Sequence, residues 1–200
     1  MTMTRKFLLL SLVLGSSVAA QADDIYLGTP GYGGTGCPAG TVSVTLSPDA
    51  KSLSLLFDAY QVEVGGETGR SLDRKSCNVA IPVHVPQGYS VSVLKVDYRG
   101  YNYLPRYASS QFNVEYFFAG TQGPSFRKNF YGPLDNDYII KNELGVSSVV
   151  WSACGADVNL RTNSSIRVRT SGNREAMATV DSEDVSAAIV YSLQWRRCGR

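Results

Sequence analysis

The sequence predicts an all-β protein, a single-domain β-sandwich of jelly-roll or related type, on three observations. Apolar residues recur with a period of two in several separate runs, as they do in strands with one buried face. Turn-forming residues such as Ser47-Pro48-Asp49, Gly65-Gly66, Pro86-Gln87-Gly88 and Ser171-Gly172-Asn173 divide those runs at short intervals. No segment beyond the first 22 residues sustains a capped 3.6-residue period. Many short strands with regular turns indicate a sandwich or barrel.

Residues 1–22 read as a secretory signal peptide. Arg5 and Lys6 precede the apolar run Phe7 to Leu14, and Ala20-Gln21-Ala22 offers a small-x-small cleavage site. The apolar run is too short to span a bilayer, which takes roughly 18 residues. The expected product is one secreted domain, 23–200, extracellular or, from a Gram-negative host, periplasmic. The chain of 200 residues has 19 basic and 17 acidic side chains. Loss of Arg5 and Lys6 leaves seventeen of each sign, so net charge gives no drive toward nucleic acid.

Gly31-Tyr32-Gly33-Gly34-Thr35-Gly36 has the spacing of a dinucleotide loop, but Cys37-Pro38 and a period-two strand follow it, not a helix. It is expected to be a turn-rich entry. Val42, Val44 and Leu46 alternate with Ser43 and Thr45. Between Leu53 and Val64 the apolar parity changes: Leu53, Leu55 and Phe57 share one parity, Tyr60, Val62 and Val64 the other. A bulge or bend near Asp58-Ala59, or a passage between sheets, would restore one buried face. In Cys77 to Val85 every second residue is apolar, and Pro82 places that strand at an edge or bulge. Phe112, Val114, Tyr116 and Phe118 form another alternating run, as do Ile189, Tyr191, Leu193 and Trp195.

The four cysteines, Cys37, Cys77, Cys154 and Cys198, suggest two disulfides in an exported chain. Spacing allows three pairings. Cys37–Cys77 and Cys154–Cys198 is the expected one, each closing a loop worth on the order of 4 kcal/mol in the chain-entropy model. His84 is the sole histidine and no Cys-x-x-Cys occurs, so neither a metal site nor a cofactor is expected. His84 falls on the polar parity of its strand and is expected to be exposed, far from any nucleophile motif.

The segment Tyr98 to Tyr107 holds four tyrosines, two arginines and an asparagine. Tyrosine rings stack on sugars or pack on proteins, and arginine forks bind carboxylates or sulfates. Tyr101, Tyr103, Arg106 and Tyr107 are the candidate binding residues, because Gly100 and Pro105 are expected to interrupt pairing and leave them on a loop. Tyr98 and Arg99 adjoin the preceding strand and are read as structural. Asp135-Asn136-Asp137 and Asp181-Ser182-Glu183-Asp184 are expected to be solvated turns. Arg167 and Arg169 should face outward, and with Arg196, Arg197 and Arg200 could form an anion-binding patch, against the plainer reading of solubility. Asn163-Ser164-Ser165 is a glycosylation sequon, meaningful in a eukaryotic host.

Several strings resemble one family in order along the chain. They are Gly34-Thr35-Gly36-Cys37-Pro38-Ala39-Gly40, Leu46-Ser47-Pro48-Asp49, Phe57-Asp58 and Arg74-Lys75-Ser76-Cys77. Asp97-Tyr98-Arg99-Gly100, Phe130-Tyr131-Gly132-Pro133, Trp151-Ser152-Ala153-Cys154-Gly155 and Ser192-Leu193-Gln194-Trp195-Arg196-Arg197-Cys198 continue the series. Together they resemble the secreted fungal and bacterial proteins of domain of unknown function family 4360. The resemblance implies an exported, disulfide-bonded domain and carries over no catalytic residue. The leading expectation is a non-enzymatic binding protein for carbohydrate or cell-surface material. The alternatives are a secreted carbohydrate-active hydrolase or lyase using Asp, Glu, Tyr or Arg, and a structural envelope protein.

Overall fold

Each run with a two-residue period lies in strands, except that the run from Cys77 to Val85 leaves its strand after Val83. The computed structural model describes residues 25–143, 149–180 and 189–199. The expected leader, Asp181 to Asp184 and Arg200 lie outside the described residues. In chain order the strands are β1 (Gly31–Gly33), β2 (Val42–Leu46), β3 (Ser52–Phe57), β4 (Gln61–Val64), β5 (Leu72–Val83) and β6 (Tyr89–Leu104). They continue with β7 (Ser109–Phe118), β8 (Ser125–Tyr131), β9 (Leu134–Glu143), β10 (Val158–Arg169), β11 (Ala176–Thr179) and β12 (Ile189–Arg197). A 3-10 turn at Gly66–Thr68 is the sole helical element among the described residues.

The strands form two antiparallel sheets. One runs β1-β5-β10-β7-β8. The other runs β2-β3-β12-β6-β11-β4, with β9 paired to the second edge of β6. β12 and β11 lie end to end along one edge of β6, against Tyr89–Tyr98 and Asn102–Tyr103 respectively. β3 and β4 repeat that arrangement beside them, separated by the bend at Asp58-Ala59. The parity change read from the sequence is thus a break within one sheet, not a passage to the other. It lets Leu53, Leu55 and Phe57 before the break, and Tyr60, Val62 and Val64 after it, all be buried.

Pro82 lies inside a continuous β5–β10 register, opposite Asn159. Its carbonyl accepts from Gly28 N at 2.9 Å, on the side away from β10. In an antiparallel strand the N and C=O of one residue point the same way, so the absent N–H falls on the outer flank of β5.

The two sheets bury a single apolar cluster between them. Tyr98 of β6 meets Phe112 of β7 edge-on at 5.2 Å, and Tyr116 meets Tyr191 at 6.1 Å. Buried phenols need partners, and Tyr60 and Tyr191 find them across the sandwich, whereas Tyr98 Oη is buried with no hydrogen-bond partner among the described residues. Tyr60 Oη bonds Ser164 Oγ at 3.0 Å, and Tyr191 Oη bonds Thr162 Oγ1. Burial raises the phenols of Tyr60, Tyr98 and Tyr191 above their ordinary range, and that of Tyr116 to about 12.

Both disulfides have the expected pairing. Cys37–Cys77, fully buried, ties the entry segment to β5, with Cα atoms 5.4 Å apart. Cys154–Cys198, 6.0 Å between Cα atoms, ties the segment before β10 to the end of β12.

Candidate functional site

Gly100 does not interrupt β6. The strand continues through it to Leu104 because both of its flanks are paired, by β9 from Lys95 to Leu104 and by β11 at Asn102 and Tyr103. A Cβ at Gly100 would sit 2.5 Å from Tyr138 Oη, which crosses here to donate to Thr179 O at 2.8 Å. The glycine marks a close approach within a strand, not a loop.

The four candidate residues therefore rest on two supports. Tyr101 and Tyr103 are strand residues on the outer face of the seven-stranded sheet, not loop residues as expected. Asn102 between them points inward, fully buried, and accepts from Ser110 Oγ. Tyr101 Oη donates to Asp135 Oδ1 diagonally across the β6–β9 pair. That hydrogen bond to the carboxylate pushes the Tyr101 phenol up to about 12. Asp135 and Asp137 lie within β9, so the acidic turn expected there is a strand, with Asp135 opposite Tyr103 and Asp137 opposite Tyr101 of β6.

Arg106 and Tyr107 occupy the β6–β7 connection at one end of the sandwich. Tyr107 has a left-handed backbone, φ 68°, sparsely populated by a bulky residue. Tyr107 is 72% exposed, and two guanidinium groups approach its ring, Arg106 at 5.7 Å and Arg174 at 5.5 Å. The β8–β9 turn packs against this connection: Gly132 N donates to Ala108 O at 2.9 Å. An open groove results, lined by Arg106, Tyr107, Tyr131, Pro133, Arg169 and Ser171. Tyr131 is 71% exposed. The sequence reading missed Tyr131 and Arg174, which lie far from Tyr107 along the chain.

The groove opens onto the outer face of the five-stranded sheet. There Tyr131, Ser109, Arg169 and Leu72 line up across β8, β7, β10 and β5. The next row is Asn129, Gln111, Arg167 and Arg74. Arg167 and Arg169 face outward, as their alternation with Ile166 and Val168 requires. A side-chain chain crosses β7 and β8: Gln111 Nε2 donates to Asn129 Oδ1 at 2.7 Å, Asn113 Nδ2 to Gln111 Oε1 at 3.3 Å, and Arg127 Nε to Asn113 Oδ1 at 2.7 Å. Asn163 of the sequon is exposed on the same face. Arg196 and Arg197 do not join this patch. Arg196 stacks over Trp151 at 4.0 Å, and Arg197 donates to Tyr89 Oη at 3.4 Å.

His84 is not the free strand histidine expected. It follows β5, stacks on Tyr26 at 4.6 Å and places Nδ1 2.8 Å from Asp157 Oδ1. The loop before β10 reaches back over the end of β5, and Val85 N also binds Asp157 Oδ1 at 3.2 Å. Among the described residues no group of three or more His, Cys, Asp and Glu side chains converges as a metal site would require.

A model of the family described as Domain of unknown function (DUF4360) matches residues 23–198. The chain belongs to the DUF4360 family. An uncharacterized secreted protein of Arthroderma benhamiae is 37% identical over 186 residues, covering 92% of this chain and 76% of that protein. The DUF4360 match spans all four cysteines and both sheets. The protein is secreted, and no helix among its described residues is long and apolar enough to cross a membrane.

Proposed function

We propose that this secreted protein is a non-enzymatic carbohydrate-binding protein whose ligand enters the groove at the β6–β7 and β8–β9 turns. The observation that carries the reading is the pair of exposed rings, Tyr107 and Tyr131, set beside Arg106 and Arg169 on a disulfide-held scaffold. Exposed rings lining a groove offer flat apolar faces to sugar C–H groups, while guanidinium groups supply directed donors for oxygens. The left-handed backbone at Tyr107 supports it too, since strain of this kind gathers at ligand-binding positions. Tyr101 and Tyr103 belong to a separate surface in this reading and are tested separately.

A glycan array with the intact protein, followed by incubation of each bound glycan, tests the proposal. Binding without release of shortened or unsaturated products is expected. Tyr107→Ala with Tyr131→Ala should abolish retention while stability stays within about 1 kcal/mol, two exposed positions each contributing about 0.5 kcal/mol or less. Tyr101→Ala with Tyr103→Ala should leave retention intact. Product release would instead assign a carbohydrate-active enzyme, and an array with no bound glycan would remove the carbohydrate reading.

A further inference from the structure

The outward positions of β5, β10, β7 and β8 carry five arginines, Arg74, Arg127, Arg161, Arg167 and Arg169, and one carboxylate, Glu115. All six side chains are on exposed residues. Among the described residues, no carboxylate lies within ion-pair distance of any of these arginines. Arg74 and Arg167 stand directly opposite each other on neighbouring strands. Like charges so placed weaken a sheet. The outer face of the other sheet shows what the same fold does where charge serves stability. There Lys95 faces Glu143 and Asp97 faces Lys141 across β6 and β9.

We infer that the outer face of the five-stranded sheet binds an acidic polysaccharide, a polyuronate, laid across its strands. The inference rests on the carbohydrate reading above and names the ligand's chemistry. Positive charge repeated across three strands suits a polymer with repeated charge better than a single small acid. A guanidinium fork matches the planar carboxylate with two parallel hydrogen bonds. The amides of Gln111, Asn113 and Asn129 are held by one another and by Arg127, so their remaining donors and acceptors are fixed in place for hydroxyl groups. Two shallow depressions mark the face, one beside Arg74, Asn113 and Arg127, the other beside Gln111, Arg167 and Arg169, and the second adjoins Tyr131 of the groove.

The test compares polygalacturonate with the same polymer fully methyl-esterified, which keeps the sugar chain and removes its charge. Protein made without N-glycosylation is used, because Asn163 lies on this face. Polygalacturonate should bind and the ester should bind at least about tenfold more weakly, with affinity for the charged form falling as salt shortens the Debye length from about 10 Å at 0.1 M to about 3 Å at 1 M. Arg74→Gln with Arg167→Gln should weaken binding about tenfold, on the order expected for two solvent-exposed ion pairs. Arg74→Lys with Arg167→Lys, which keeps charge and loses the fork, should fall between. Lys95→Gln with Lys141→Gln, on the other sheet, should change nothing. Equal binding of the ester would overturn the acidic ligand and leave the carbohydrate reading standing. Equal binding of polyglutamate would overturn both. Tighter binding of a sulfated glycan would overturn the carboxylate assignment. No binding of polygalacturonate, or equal loss in the Arg74→Gln/Arg167→Gln and Lys95→Gln/Lys141→Gln variants, would overturn the inference while the glycan array decides the reading beneath it.

Discussion

The two outer faces of the sandwich are made by the same kind of strand and solve the charge problem in opposite ways. On the seven-stranded sheet, β6 and β9 set Lys95 opposite Glu143 and Asp97 opposite Lys141, Lys95 pairs with Asp97 at 3.1 Å, and Tyr101 donates a hydrogen bond to Asp135. Along this stretch of β6 and β9, opposite charges are neighbours. On the five-stranded sheet Arg74 faces Arg167, and Arg161, Arg167 and Arg169 follow one another along β10 with no described acid in reach. Opposed charges on one face stabilise the fold modestly, and unopposed charges on the other leave attraction available for a partner. Exposed position alone therefore does not distinguish the two faces; the register does.

Both faces stand on one buried core, so the largest effect should come from a lesion beneath the basic one. Cys37→Ala with Cys77→Ala removes the buried bridge that holds the entry segment to β5, and a loss of about 2–5 kcal/mol in urea unfolding is expected. A single shifted transition is the expected form. Two separate transitions would show that the sheets are independent units and that the faces cannot be compared on a common scaffold.

Charge reversal sharpens the comparison directly. Arg74→Glu places an acid opposite Arg167 and should stabilise the protein by about 0.2–1 kcal/mol. Lys141→Glu places an acid opposite Asp97 and should destabilise it by a similar amount. Thermal unfolding at low ionic strength separates the two, and high salt should shrink both shifts. Changes of the same sign would break the contrast between the faces.

The smallest effect concerns the self-contained face. The Tyr101 phenol, held up to about 12 by its bond to Asp135, titrates near 10 in an unfolded chain. Between those values the folded state holds the proton more tightly, so this contribution to stability is present below pH 10 and is lost as pH rises toward 12. Asp135→Asn removes the carboxylate acceptor and should return the phenol toward 10 in an ultraviolet titration. A transition that stays near 12 in the variant would show that Asp135 is not the cause.

Much of the scaffold was legible in the chain. Alternation in Phe112–Phe118 and Ile189–Trp195, the parity change at Asp58-Ala59, and the outward setting of Arg167 and Arg169 all depend on a period that the backbone of a strand imposes on its own side chains. The site was less legible. Gly100 and Asp135-Asn136-Asp137 carry residue types common in turns, yet hydrogen bonds to distant strands hold both in β6 and β9. His84 has the parity of an exposed residue, and a loop more than 70 residues further on covers it.

By itself the sequence determined the all-β class, the strands that alternate without interruption and their buried faces, and the even set of cysteines, because these follow from periodicity and residue chemistry within short windows. Tertiary structure alone decided which side chains meet. It paired Arg74 with Arg167, drew Tyr131 and Arg174 beside Tyr107, and divided Tyr101 from Tyr107. Register and strand order are set by contacts between residues far apart in the chain, and no local window contains both partners of such a contact.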